Sequence, residues 1–225
     1  MHHCLSLSWA GGGWWAECRK NFDDSLFHLW AKCKAWAKDN GLGSSIPMFR
    51  TALLSWGDHN DYPTLSSKVK AAPCKVIFNW VCSYAIALVV DKKDTSAQSL
   101  MRAGCCWHLS QFCTICEDAG LVFSHAEAQQ VVHHGWEYLL LWQALAKDAF
   151  DNNLAKYKLR PKLHYMAHML LEIADTRMNP HRQDRNTIQP QMSFWNLGGW
   201  GPGWWTHVHC SLCFLCFSCE RNVVF

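Results

Sequence analysis

From Ser124 to Ala149 the chain holds one helical period without a break. Val131, Gly135, Tyr138, Trp142, Leu145 and Ala149 recur at steps of three and four. That spacing gathers side chains on one face of an α-helix, whereas a strand alternates with a period of two. The segment opens with "SHAE", in which Ser124 stands three residues before Glu127. This is the capping-box spacing, where each side chain satisfies a free backbone amide of the other. A helix this long with one apolar face must find other elements to cover it.

Four further segments supply them. In "ECRKNFDDSLFHLWAKCKAWAKDNG", Phe22, Leu26, Trp30, Cys33 and Trp36 form a stripe, and Asn40-Gly41 is a stop, since glycine accepts the left-handed conformation that ends helices. The run "VIFNWVCSYAIALVV", Val76–Val90, is apolar widely around its axis and reads as a buried helix, with Ser66 or Ser67 as cap and Pro73 near its start. At fifteen residues it falls short of the roughly 20 that span a bilayer, so no membrane is expected; a short or tilted membrane segment is the alternative. "DTSAQSLMRAGCCWHLSQFCTICEDAG" predicts a helix capped by Asp94 or Thr95, with a stripe of Leu100, Gly104, Trp107, Phe112, Cys113 and Cys116, ended by Gly120. The last helix opens at Pro161 in "RPKLHYMAHMLLEIADTRMNP". No sustained alternation with hairpin turns is found.

The expected fold is therefore all-α, a bundle of about five helices spanning residues 18–180. Residues 1–17 and 181–225 are expected to be irregular. "AGGGWWAEC" and "NLGGWGPGWWTHVHC" are rich in Gly and Trp and carry no period.

Composition narrows the setting. The formal charge of +3 demands neither nucleic acid nor an acidic partner. The 13 cysteines are odd in number, scattered and preceded by no Lys/Arg-led apolar leader, which points to reduced thiols in an intracellular compartment, cytoplasmic or nuclear.

Three groups of residues are candidates for chemistry. His164 and His168 lie four residues apart and share a helix face with Glu172 and Asp175, all within about 80° at 100° per residue. His164, His168 and Asp175 make a candidate metal set. Two imidazoles alone leave a zinc ion half-coordinated, and "HYMAH" lacks the glutamate that a His-Glu-x-x-His helix uses as base. The plainer expectation is a solvated polar face.

In the tail, Cys210, Cys213, Cys216 and Cys219 are each separated by two residues, with His207 and His209 upstream. Zinc or iron would suit such donors, although iron–sulfur runs place three residues before a last Cys followed by Pro. Cys113 and Cys116 form a Cys-x-x-Cys, but at helical spacing with no strands nearby they read as small core residues. Lys156, Lys158, Arg160 and Lys162 form a basic run able to make weak, non-specific phosphate contacts. No catalytic set emerges, and no cofactor is expected.

"KYKLRPKLHYMAHMLLEIADTRMNP", "CTICEDAGLVFSHAEAQQ" and "LSSKVKAA" resemble an uncharacterised, multi-copy family of dinoflagellate genomes over residues 18–180. Its members share a "PK-x-H-x-x-x-H … NP" segment. The resemblance implies descent from a mobile element, since such a segment is similar to the late part of cut-and-paste transposases. An acidic Asp-Glu-Asp-Phe-type motif follows "NP" in family-like sequences. Here "HRQDRNTIQPQMSFWNLGGW" follows instead, which implies that metal–carboxylate chemistry is lost. The expected function is a non-enzymatic helical interaction module or a degenerate mobile-element relic. The alternatives are a metal-dependent hydrolase or nuclease fragment using His164 and His168, and a Cys-rich metal-binding tail.

Overall fold

A computed structural model of the chain describes residues 22–42, 45–50, 53, 71–91, 94–153, 157, 159 and 161–182. They are all-α: five helices and, among the described residues, no strand. The helices are α1 (Phe22–Asp39), α2 (Ala71–Val90), α3 (Ala97–Asp118), α4 (His125–Asp151) and α5 (Pro161–Thr176). The chain divides into two compact units, with the boundary inside α2 between Trp80 and Val81. The expected segment 1–17 lies outside the described residues, as do the cap candidates Ser66 and Ser67 and all of the expected tail 181–225 except its first two residues.

The first unit holds α1 and the start of α2. α1 buries Leu26, Leu29, Cys33 and Ala37, whereas Trp30 and Trp36 are half-buried. The face is thus turned from the expected stripe, because Trp30 stays near the surface to donate its indole N–H to the Ile46 carbonyl at 3.0 Å. Asn40-Gly41 ends the helix as read. Gly41 takes φ +67°, its N–H bonds to Lys38 O, and Leu42 N–H bonds to Ala37 O, the paired pattern that a left-handed residue makes possible. At the start of α2, Pro73 lies in the first turn, where its missing N–H leaves no bond unmade. Trp80 packs against Phe49 with ring centroids 6.4 Å apart.

α2 is 20 residues long and covers the whole apolar run Val76–Val90 with a turn before it. Residues 72–90 are long and apolar enough to cross a membrane by length and composition. Cys74, Ile77 and Phe78 in the first unit and Val81 in the second are almost wholly buried, Val90 is exposed, and 44% of the apolar window is buried.

The second unit contains α3, α4 and α5. α4 begins with the full capping box: Glu127 N–H donates to Ser124 Oγ, and Ser124 N–H donates to Glu127 Oε2 at 2.7 Å. Its buried face is Ala128, Val131, Gly135, Tyr138, Trp142, Leu145 and Ala149, the row read from the sequence plus one residue. α5 buries Met166, Met169, Leu170 and Ile173, and a side chain on Gly135 would collide with Leu170. Glycine at 135 therefore sets how closely α4 and α5 approach.

α3 departs from expectation. Ser96 caps it, accepting from Ser99 N–H. Asp94 sits one step back, accepting from Ser96 N–H and from Ser99 Oγ–H at 2.6 Å, and these bonds hold its carboxyl below the usual range. The C-cap is Ala119, not Gly120. The buried face is Ala103, Cys105, Cys106, Leu109, Phe112, Cys113 and Cys116, while Leu100 and Trp107 are 46% and 44% exposed. Thiols share this buried face with Leu109 and Phe112, and the second half of the expected stripe, Phe112, Cys113 and Cys116, lies inward as read.

Beyond α5 the chain returns to the α3–α4 connection. Phe123 N–H bonds to Arg177 O, and Asn179 N–H bonds to Leu121 O. The fully buried Asn179 carboxamide donates to Cys116 O and Gly120 O, both at 2.9 Å. Arg182 adds bonds to Ala119 O and Glu117 O.

Candidate functional site

α3 and α4 form an antiparallel hairpin. Gly104 faces Leu141, where an added Cβ would come 2.8 Å from Leu141 Cδ1. Near the open end, Gln98 donates to Asp148 at 2.6 Å. In such a pairing, residues equally far from the connection meet. His108 stands ten residues before Asp118, the end of α3, and His134 nine after His125, the start of α4. Their Nδ1 atoms lie 3.0 Å apart.

His133 completes a group of three. One ring nitrogen from each of His108, His133 and His134 lies within 4.8 Å of the others. Consecutive helical residues point about 100° apart, so Gly135 faces α5, His134 turns to α3, and His133 is exposed. The Trp107 ring stands edge-on to His108 and His134, with centroids 4.8 and 5.2 Å away.

The electrostatics favour the neutral form at His108 and His134. Burial, opposed by the Glu137 carboxylate and assisted by His133, holds His108 below the ordinary histidine value. His134 is lowered by burial and then by His108 and His133. A 3.0 Å contact between two Nδ1 atoms requires a hydrogen on one and a lone pair on the other. Protonation of both rings breaks it.

The pair read from the sequence is also together. His164 and His168 lie on the exposed side of α5 with Nε2 atoms 3.0 Å apart and rings at 86°. Asp175 is exposed two turns on, and partial burial raises the Glu172 carboxyl. Among the described residues, the one group of three or more donors within 4.8 Å is that of the α3–α4 histidines. Cys210, Cys213, Cys216 and Cys219 lie outside the described residues, as do Lys156, Lys158 and Arg160; Lys162 is half-buried on α5.

The thiols among the described residues are buried. Burial pushes the Cys33 thiol up to about 12 and raises Cys105 and Cys116 well above the ordinary thiol value. The wholly buried Tyr138 phenol is raised in the same way.

Comparison of the chain with protein families, with characterised proteins and with solved structures finds no match.

Proposed function

We propose that this chain is a non-enzymatic helical module that acts by binding. The observation that supports it most is the use of cysteine. Cys105, Cys106 and Cys116 are free thiols with almost no exposed surface, and at Cys105 and Cys116 burial disfavours the thiolate that a nucleophile requires. They act as small apolar filling between helices. On the outside, the hairpin offers Trp107 beside three imidazoles, a surface suited to holding a ligand. Descent from a mobile element, as the family resemblance implies, accords with a helical scaffold that has kept its packing and lost its chemistry.

The reading is tested by alkylating the native full-length chain and mapping the modified cysteines by mass spectrometry, alongside nuclease and phosphodiesterase assays with added Mg²⁺, Mn²⁺ or Zn²⁺. Cys105, Cys106 and Cys116 should stay unmodified until the chain is denatured, and no turnover should appear. Rapid labelling of these thiols near neutral pH overturns it. So does hydrolysis that disappears in a His164→Ala/His168→Ala variant, which would favour the hydrolase alternative.

A further inference from the structure

We propose that His108, His133 and His134 bind a late first-row divalent transition ion, of the cobalt, nickel and zinc type, bridging α3 and α4. The proposal rests on the reading of the chain as a binding module and names its ligand.

Geometry carries it. A tetrahedral ion with metal–nitrogen bonds of about 2.0–2.1 Å holds its donors roughly 3.4 Å apart. The Nδ1 atoms of His108 and His134 are 3.0 Å apart, and one ring nitrogen from each of the three histidines lies within 4.8 Å of the others. Adjustments of no more than about 1.4 Å would close the set, and His133, being exposed, is free to make the larger one. Trp107 packs in T-shaped contact with the other two rings.

The chemistry agrees. An all-imidazole set suits borderline transition ions and offers little to calcium or magnesium, which take oxygen ligands. Coordination through both facing nitrogens requires the hydrogen that one Nδ1 carries in the 3.0 Å contact to move to the far nitrogen of that ring, a change of tautomer with no net loss of a proton. The Glu137 carboxylate, which acts electrostatically on His108, would offset part of the ion's charge. Three protein donors leave a coordination position for water on the exposed side. His164 and His168 supply two donors from a single helix and cannot bridge two elements.

Cobalt(II) added to the untagged full-length chain provides the test, because its visible spectrum separates nitrogen from thiolate ligation. The expected result is one bound ion without a thiolate charge-transfer band. His133→Ala, at an exposed position and with helicity checked by circular dichroism, should weaken binding roughly tenfold or more. His108→Ala/His134→Ala should abolish it, and His164→Ala/His168→Ala should leave it unchanged. No binding, a thiolate-only spectrum, or wild-type affinity in His133→Ala would overturn the proposal. The two readings fail separately: turnover contradicts the binding module, whereas loss of the imidazole-bound ion contradicts only the ligand.

Discussion

At Asn179 a single carboxamide satisfies the carbonyls of Cys116 and Gly120 while fully buried. Removing it leaves two acceptors without their donor, and a buried group left unpaired costs about 1–3 kcal/mol. Asn179→Ala should therefore lower stability by roughly 2–4 kcal/mol in urea unfolding; a loss below about 0.5 kcal/mol would contradict the clamp. The two glycines of the hairpin and its neighbour should respond with opposite signs. At Gly104 the crowding atom is one terminal methyl of the half-buried Leu141, which can turn aside. Gly104→Ala should gain about 0.5–1 kcal/mol from helix propensity. At Gly135 most of the buried Leu170 side chain is in the way. Overpacking of about 1–3 kcal/mol then exceeds the propensity gain, and Gly135→Ala should destabilise. Thermal unfolding of the two variants side by side measures the difference.

Among the helices, α4 was the most legible in the sequence. Its cap and its stripe are local: Ser124 and Glu127 are three residues apart, and the apolar row needs no knowledge of the partner. Ser124→Ala should accordingly cost about 1 kcal/mol, read by chemical denaturation and recovered in part by Ser124→Asp. The face of α3 follows the expected stripe in its second half, where Phe112, Cys113 and Cys116 are buried, and is turned from it in the first half. Leu100 and Trp107 form a row with Gly104, yet α3 turns Cys105, Cys106 and Leu109 inward and leaves those two partly in solvent. In α1, Trp30 was displaced from the core by its bond to Ile46, a contact sixteen residues away. The α5 pair was visible because His164 and His168 meet within one helix. His108 and His134 belong to different helices, and neither "CWHLS" nor "VVHHG" carries a ligand spacing by itself. Counting outward from the connection between α3 and α4 is the signal that would have found them.

For the molecule as a whole, the seam makes stability depend on pH. The folded-state values of His108 and His134 are depressed below about 6.5, the ordinary histidine value. The unfolded chain then binds more protons over the interval between folded and unfolded values. Stability should be fully present above the unfolded value and should fall as pH drops through the depressed ones. Denaturation at about pH 7.5 and about pH 5 should show a smaller loss for His108→Ala/His134→Ala than for the wild type. An equal or larger loss would place the dependence elsewhere. The proposed ion acts in the same direction, since a ligand held by the folded hairpin alone raises its unfolding temperature with concentration.

All of this depends on the register that sets α3 against α4. A nuclear Overhauser measurement between the imidazole protons of His108 and His134, in the full chain with labelled histidine, tests it most directly. Ring centroids 5.2 Å apart predict a clear cross-peak that vanishes in either single alanine variant. A spectrum of the folded protein in which both rings are assigned and no such cross-peak appears would contradict the hairpin and the site built on it.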